Sequence, residues 1–323
     1  MDIWVTGGAG FIGSSLIKQL NDNGINDILI VDDLTYGEKF TNLRRIHFAE
    51  FLDIDEFLYK LDSNLLKKPK CIFHQGAITN TMERNGKLMF KYNYTFSVKL
   101  FNWANNNKIP FIYASSAAVY GVNEKCIEQK QYEKPINIYG YSKLAFDNYV
   151  SEKIKKSNSQ IVGLRYFNVY GYGEQNKGNM ASTIYQFYNQ YKKNKTIQLF
   201  GDYLNFKKGT QSRDFIYIDD VIDTILWFYN NRKISGIFNL GTGKVASFND
   251  VAREIIFNEN STDDQIFNSS VKYIKFPDDL KGRYQSYTLA NMEKIKNTGY
   301  KKEFMSIKEG IAKYIYKLRK DEG

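Results

Sequence analysis

The first sixteen residues contain the feature that most limits how this chain can fold. They read MDIWVTGGAGFIGSSL, in which an apolar, strand-like run leads into closely spaced glycines and then into a segment with apolar residues at helical spacing. Gly7, Gly8, Gly10 and Gly13 fit both G-x-x-G-x-x-G and G-x-G-x-x-G. Glycine permits a tight turn and a close approach to the backbone, and the start of the helix offers unpaired N–H groups to a pyrophosphate. The order predicts a strand, a pyrophosphate-binding turn and a helix.

A second apolar run, DILIVDD, ends in Asp32 and Asp33. An acid placed about twenty residues after the glycines usually accepts the adenosine ribose hydroxyls, which favours NAD over NADP. Lys39, Arg44 and Arg45 follow closely, and their charges suit a 2′-phosphate. The residues alone therefore predict a dinucleotide but leave NAD and NADP both open.

Strand-like and helix-like segments continue to alternate beyond this point. CIFHQGA is followed by a helix near 87–107, IPFIYASS by a helix from Tyr139, and then comes QIVGLRYFNVYG. This alternation predicts an α/β fold with a Rossmann-type, doubly wound parallel sheet, in which ligands bind at the carboxyl ends of the strands.

The alternation loosens after Tyr170, which predicts a smaller α/β substrate-binding lobe. We expect residues 1–167 plus about 214–245 to form the dinucleotide-binding domain. We expect about 168–213 plus 246–323 to form the lobe, so that the two interleave along the chain.

Composition excludes several other classes of protein. The 323 residues are 43% hydrophobic, which is enough for sizeable cores, and they contain no apolar run long enough for a membrane helix. The first residues form a strand pattern rather than a secretion signal, so we expect a cytoplasmic protein with no membrane partner. Two cysteines and two histidines do not suit a disulfide framework or a metal site. The lysines behind the net charge of +10 are scattered, so we expect no nucleic-acid partner.

The stretch NIYGYSKLAFD places Lys143 four residues after Tyr139. Six other tyrosine–lysine pairs share this interval, so the spacing alone carries no weight. Only Tyr139 follows a strand that ends in serines, YASSAAVYG with Ser115 and Ser116. The interval of four also puts both side chains on one helix face.

This combination suits the oxidation of an alcohol by hydride transfer. The hydroxyl proton must be removed, and a tyrosine with a pKa near 10 is a poor base until a cation stabilises its phenolate. Lys143 supplies such a charge and is placed to hold the nicotinamide ribose, while Ser116 is placed to hydrogen-bond the reacting oxygen. We therefore predict that Tyr139, Lys143 and Ser116 are catalytic.

The motifs TGGAGFIG, ASSAAVYG, YGYSK and RYFNVYG resemble the extended short-chain dehydrogenase/reductase superfamily, whose members act on nucleotide-activated sugars. NKGNMAS, RDFIYIDDV, GIFNLGTG and FPDDLKGRYQ further resemble the ADP-L-glycero-D-manno-heptose 6-epimerase family, and the resemblance covers essentially the whole chain. It implies a homo-oligomer that uses bound NADP to invert C6 of ADP-D-glycero-D-manno-heptose through a 6-keto intermediate. The product would supply heptose for the lipopolysaccharide core.

Matching positions give the roles that this resemblance implies. Tyr139 and Lys177 become two catalytic bases, which suits an inversion because a transient ketone must accept hydride on its opposite face. The implied cofactor-binding residues are Gly7, Gly10, Phe11, Ile12, Gly13, Asp32, Asp33, Lys39, Gln75, Gly76, Ala77, Ile78, Thr79, Asn93, Tyr139 and Lys143. The implied substrate-binding residues are Ser116, Asn168, Asn179, Arg213 and Tyr284.

The sequence alone also allows other roles for Arg213 and Lys177. Arg213 suits a diphosphate clamp because its forked donors match phosphate oxygens, or it forms a structural salt bridge with Asp214 or Asp219. Without the resemblance, Lys177 reads as a solvated loop lysine.

The chain departs from the family pattern in TMERNGK, in the longer FKKGTQSRD loop and in YGYGEQ. The alternative functions are another nucleotide-sugar epimerase, such as a UDP-hexose 4-epimerase, and a non-catalytic NADP-binding sensor. The sensor is disfavoured because Tyr139 and Lys143 are both present. A 4,6-dehydratase is disfavoured because Ala117 and Ala118, rather than an acid, follow Ser116.

Overall fold

The computed structural model describes residues 1–322 except 36, 261, 262 and 283. A central parallel sheet has seven strands in the order β11-β6-β5-β4-β1-β2-β3. The strands of this sheet are β1 (Ile3–Thr6), β2 (Ile28–Val31), β3 (Glu50–Leu52), β4 (Cys71–His74), β5 (Phe111–Ser116), β6 (Ile161–Tyr166) and β11 (Gly236–Leu240). The predicted α/β fold with a Rossmann-type sheet is confirmed.

The inner strands are buried on both faces. Every residue of β1, β2 and β4 is buried, as expected for parallel strands covered by helices on either side. Trp4, Phe57, Phe101 and Phe146 are among the large side chains of the core cluster around them. Because these strands pair in parallel, the carboxyl ends of β1, β2, β4 and β5 lie at one edge of the sheet.

Helices connect the strands as the sequence patterns predict. The helices are α1 (Phe11–Asp22), α2 (Phe40–Leu43), α3 (Ile54–Asp62), α4 (Gly86–Phe90), α5 (Phe96–Asn106), α6 (Ile138–Ile154), α7 (Thr183–Asn194), α8 (Ile218–Asn230), α9 (Phe248–Glu259), α10 (Asp264–Ser270), α11 (Glu293–Lys296) and α12 (Ile307–Glu322). The helix predicted near 87–107 is present as α4, a π-helical turn at Lys91–Thr95 and α5 in direct succession, and the π-helical turn is the detail that the pattern does not predict. This turn carries the buried side chain of Asn93.

The segment QIVGLRYFNVYG is also not one strand. It divides at Phe167 into β6, which lies in the central sheet, and β7 (Asn168–Tyr170), which pairs in parallel with β10 (Phe215–Tyr217). Two further pairs join β8 (Ile197–Phe200) to β13 (Val271–Ile274) and β9 (Ser212–Arg213) to β12 (Ala246–Ser247). The second part of the chain is therefore built from short strand pairs and helices.

The chain forms two compact units. The first comprises Met1–Val119, Asn137–Tyr166 and Val221–Phe238. The second comprises Tyr120–Ile136, Phe167–Asp220 and the chain from Asn239 onward. Compared with the predicted division, residues 120–136, 167, 214–220 and 239–245 lie in the second unit, while the binding role of each domain stays a prediction. Among the described residues, no helix has both the length and the apolar character needed to cross a membrane.

Candidate active site

The glycine turn is built by close backbone contacts. Gly7 has a φ of +70°, and a Cβ at this position would lie 2.5 Å from the backbone N of Gly76. A Cβ on Gly13 would lie 2.1 Å from the carbonyl O of Gly7. Gly10 caps α1 and contributes no side-chain hydrogen bond. Since no capping side chain occupies the start of α1, the turn fits a pyrophosphate group.

Asp32 stabilises this turn from the end of β2. Its carboxylate accepts hydrogen bonds from the backbone N–H of Ala9 at 2.8 Å and of Asp33 at 2.7 Å. Lys39 Nζ donates to Asp32 at 2.9 Å and to the carbonyl O of Asp33 at 2.9 Å. The predicted ribose-binding acid is thus bonded to the protein through both carboxylate oxygens.

Asp33 lies beside Asp32 and is partly exposed. It accepts hydrogen bonds from the backbone N–H of Thr35 at 2.7 Å and from its hydroxyl at 2.5 Å. These two bonds hold the pKa of Asp33 below its ordinary value. The carboxylate is therefore ionised at neutral pH.

A cavity of about 130 Å³ lies at this edge of the first unit. It brings together seven of the predicted cofactor-binding residues, namely Gly7, Asp32, Asp33, Lys39, Gly76, Ala77 and Ile78. The other residues of the lining are Thr6, Val31, Ile54, Tyr92 and Phe96. An apolar pocket with a few polar groups is typical of a small-molecule site.

The segment after β4 contains two more of the predicted cofactor residues, Gln75 and Thr79. Gln75 Oε1 accepts a hydrogen bond from Tyr166 Oη at 2.7 Å, whereas its buried Nε2 has no partner within the described residues. Buried polar groups are normally hydrogen-bonded, so this nitrogen is available to a ligand. Thr79 is exposed.

Asn93 supports this segment rather than presenting free polar atoms. Its Oδ1 accepts from the backbone N–H of Ile78 at 2.8 Å, and its Nδ2 donates to the carbonyl O of Ile78 at 2.9 Å. The same Nδ2 donates to Ser142 Oγ at 3.1 Å. Asn93 therefore ties the segment after β4 to α6.

Tyr139 lies in the first turn of α6. The side chain of Asn137 caps this helix by accepting from the N–H of Gly140 at 2.8 Å. Tyr139 shares a side-chain hydrogen bond with Ser116, the last residue of β5. Lys143 is 4% exposed, and its Nζ donates to the carbonyl O of Ala114 at 3.0 Å. The structure thus brings Ser116, Tyr139 and Lys143 to the end of one strand.

Burial governs the ionisation of both titratable groups. It raises the pKa of Tyr139, and the hydrogen bond with Ser116 opposes this effect. Burial also lowers the pKa of Lys143 to about 8, against the upward influence of Asp147. Lys143 is still mostly protonated at neutral pH, as a cation that supports a phenolate must be.

In the second unit, Arg213 lies among aromatic rings. Its guanidinium is 4.9 Å from the ring centroid of Tyr284 and 5.8 Å from that of Phe248. The two acids considered as its partners are bonded elsewhere. Asp214 accepts from the N–H groups of Thr242, Gly243 and Ala290, and Asp219 forms a salt bridge with Lys313 at 2.8 Å.

The remaining predicted substrate residues lie in the same unit. Asn168 Nδ2 donates to the carbonyl O of Asp214 at 3.1 Å and to Thr288 Oγ1 at 3.2 Å. Lys177 is partly buried, and burial lowers its pKa. Asn179 is exposed, and its carbonyl O accepts from Gln186 Nε2 at 3.1 Å.

Comparison with known proteins identifies the family of this chain. The profile of the family described as "NAD dependent epimerase/dehydratase family" matches residues 3–241. The chain belongs to the NAD-dependent epimerase/dehydratase family. Its predicted place in the extended short-chain dehydrogenase/reductase superfamily is confirmed.

Solved epimerase structures resemble this family member along its whole length. An ADP-L-glycero-D-manno-heptose-6-epimerase from Helicobacter pylori is 30% identical, with a TM-score of 0.83 over 98% of this chain and 96% of its own. A UDP-glucose 4-epimerase from Thermotoga maritima, solved with UDP-glucose, is 27% identical, with a TM-score of 0.78 over 100% of both chains. A UDP-glucuronic acid 4-epimerase from Bacillus cereus, in complex with UDP-glucuronic acid and NAD, is 25% identical, with a TM-score of 0.78 over 98% of this chain and 100% of its own.

This epimerase/dehydratase also contains a buried ionic group that sequence reasoning missed. Asp147 lies one helical turn after Lys143, and its carboxylate accepts from Tyr113 Oη at 2.9 Å and Ser115 Oγ at 2.8 Å. Arg165 Nε donates to the same carboxylate at 2.8 Å. The interval of four from Lys143 is the signal that could have found it.

Proposed function

We propose that the protein is an ADP-glyceromanno-heptose 6-epimerase. It inverts C6 of ADP-D-glycero-D-manno-heptose through a transient 6-keto intermediate, with bound NADP, and supplies heptose for the lipopolysaccharide core. In this proposal it works in the cytoplasm as a homo-oligomer. The observation that carries the reaction class is the group at the end of β5, where Tyr139 is hydrogen-bonded to Ser116 and Lys143 is buried nearby.

The choice of sugar rests on a different line of support. The heptose epimerase from Helicobacter pylori is similar over nearly the whole chain, and NKGNMAS and FPDDLKGRYQ match the pattern of that family. Arg213 suits the substrate diphosphate because a guanidinium donates to two phosphate oxygens at once. Tyr284, Asn168 and Asn179 complete the proposed substrate contacts.

The residues present fit a dinucleotide cofactor. In this proposal the glycine turn with Phe11 and Ile12 holds the pyrophosphate, Asp33 and Lys39 bind the adenosine ribose, and the segment from Gln75 to Thr79 lies along the cofactor. Lys39 is the residue that suits a 2′-phosphate, since its ammonium already lies at this edge. When bound there, such a cofactor would supply the hydride acceptor for oxidation of the sugar carbon and the hydride donor for its reduction.

Side chains of the protein accept and donate the protons of the reaction. Ionised Tyr139 takes the proton of the C6 hydroxyl, Ser116 hydrogen-bonds the oxygen, and the charge of Lys143 stabilises the phenolate. Because burial raises the pKa of Tyr139, the phenolate depends on such positive charge. Lys177 then protonates the oxygen when hydride returns to the other face of the ketone.

The test is to incubate the purified protein, without added cofactor, with ADP-D-glycero-D-manno-heptose and to follow the C6 configuration by NMR. Conversion to an equilibrium mixture is expected, since the hydride is returned in each cycle. UDP-glucose and UDP-N-acetylglucosamine serve as parallel substrates. No conversion of the heptose by a protein that contains bound cofactor would overturn the proposed substrate.

The second candidate is a UDP-hexose 4-epimerase. It is favoured by the similarity to the Thermotoga maritima enzyme, which covers both chains fully. Inversion at C4 of a UDP-hexose in the same assay, with no change in the heptose, would select it. Retention of cofactor without turnover of any of these sugars would select the non-catalytic sensor.

A further inference from the structure

A buried carboxylate, Glu174, lies in the loop between β7 and α7. It has an exposed fraction of 0%. Its Oε1 accepts hydrogen bonds from the N–H of Gly171 at 3.1 Å and from Ser182 Oγ at 2.8 Å. Its Oε2 accepts from the N–H of Ser182 at 2.5 Å. One side chain thus joins the residue after β7 to the residue that caps α7.

The loop closed in this way carries Lys177. The N–H of Lys177 donates to the carbonyl O of Glu174 at 2.9 Å, within the 3₁₀ segment Gln175–Met180. Ser182 also caps α7 by accepting from the N–H of Tyr185 at 3.2 Å. Since both ends of the loop are bonded to Glu174, the backbone around Lys177 is fixed from inside the unit.

Glu174 and Lys177 also interact electrostatically. Burial raises the pKa of Glu174, and the hydrogen bonds from Ser182 and Gly171 and the charge of Lys177 oppose this effect. In its ionised form, Glu174 favours the protonated form of Lys177, whereas burial disfavours it. The other titratable groups that face Glu174 are Tyr170 from β7 and Tyr314 from α12, and burial keeps both phenols neutral. Glu174 is therefore an anion that acts on Lys177.

We propose that Glu174 is a positioning residue for Lys177: it fixes the loop that carries the ammonium group and places a buried carboxylate in that same loop. This inference rests on the proposed role of Lys177 as the second acid/base.

An inversion has a particular need for such a carboxylate. Oxidation moves the hydroxyl proton to Tyr139 and a hydride to the cofactor. The return of hydride to the opposite face leaves an alkoxide, which takes its proton from Lys177. After one cycle Tyr139 has gained a proton and Lys177 has lost one, so Lys177 must regain one from solvent as Tyr139 releases one. A neighbouring anion favours the recharged lysine.

The test measures the protonation of Lys177 directly. Wild type and variants are labelled with a trace of an amine-reactive acetylating reagent over a series of pH values, and the peptide containing Lys177 is quantified by mass spectrometry. We expect Glu174→Gln to lower the pH midpoint of labelling by about one unit, because an opposite charge has been removed. Glu174→Asp keeps the charge and should restore most of the midpoint, and the exposed Glu303→Gln is the matched control. An unchanged midpoint in Glu174→Gln would overturn the proposal.

Glu174→Leu provides a second neutral variant, because it fills the buried site without presenting an amide donor to the N–H of Ser182. The same downward shift is expected. If circular dichroism shows that neither neutral variant folds, Glu174 is needed for the fold itself and the proposed role is wrong.

Activity then separates this inference from the proposed function. In an active wild type, Glu174→Gln should lower kcat with KM little changed, and should shift only the limb of the pH profile that Lys177→Met removes. If the wild type does not convert the heptose, the proposed substrate is wrong, whereas the labelling result still decides the role of Glu174.

Discussion

At Tyr139, burial and hydrogen bonding act on the phenol in opposite directions. Burial disfavours the phenolate, and the hydrogen bond with Ser116 favours it, with burial the larger effect. A base at this position therefore needs positive charge close to the oxygen. In the first unit, the sequence predicts that the buried ammonium of Lys143 supplies this positive charge.

Replacing Tyr139 by Phe removes the proposed acid/base oxygen and little else. We expect turnover of the nucleotide sugar to fall by about 100-fold or more, the range typical of general acid–base groups. Bound cofactor, measured by absorbance after release, should remain. Tyr141→Phe, on the same helix and 53% exposed, is the matched control. Full activity in Tyr139→Phe would rule out this base.

His74 is a buried, neutral residue in β4. Its Nδ1 lies 2.6 Å from Thr6 Oγ1 and its Nε2 lies 2.8 Å from Ser97 Oγ. Burial lowers the pKa of His74 to about 3. The unfolded chain has the ordinary pKa near 6.5, so it binds more protons than the folded chain between these values.

The folded state should consequently lose stability as the pH falls below 6.5. From pH 7 to pH 5 the contribution of His74 is about 2 kcal/mol of unfolding free energy. Urea unfolding of wild type and His74→Gln at both pH values measures it, since the variant keeps polar contacts but does not titrate. His47→Gln is the control. An equal pH dependence in wild type and His74→Gln would contradict the buried neutral state.

At the scale of elements, the turn between β1 and α1 requires glycine, because a side chain there would collide with the backbone. Gly13→Ala places a Cβ 2.1 Å from the carbonyl O of Gly7, so the turn must move. We expect a loss of stability on the order of 3 kcal/mol and loss of bound cofactor. Gly37→Ala, where a Cβ meets nothing within 4 Å, should change neither. Thermal unfolding and the cofactor content of the purified variants measure both effects, and retained cofactor in Gly13→Ala would contradict the proposed pyrophosphate site.

The connection between β4 and β5 shows what helical periodicity does not predict. The pattern predicts one helix near 87–107, and within this helical segment the structure has a π-helical turn at Lys91–Thr95. The turn places Asn93 where it bonds the backbone of Ile78 and the side chain of Ser142. These partners are distant in sequence, so no local pattern indicates them.

At the scale of the whole molecule, cofactor binding should increase the free energy of unfolding. A ligand that binds only the folded state adds about 2.7 kcal/mol at one hundred times its dissociation constant. After removal of bound cofactor, we expect NADP to raise the thermal midpoint more than NAD does at equal concentration. In Lys39→Ala the advantage of NADP should disappear, whereas the exposed Lys87→Ala should keep it. Equal stabilisation of the wild type by both dinucleotides would show that the protein has no NADP preference.

The sequence by itself determined the order of strands and helices and the glycine turn, and it predicts Tyr139 as the catalytic residue among seven similarly spaced tyrosines. These features are local, because side-chain periodicity and glycine geometry act over a few residues. Only the tertiary structure decided that Asp32 is bonded to Ala9 and Lys39. It also decided that the carboxylates of Asp147 and Glu174 are buried. The physical reason is that burial and hydrogen-bond partners are fixed by packing between segments far apart in the chain, which no short sequence pattern contains.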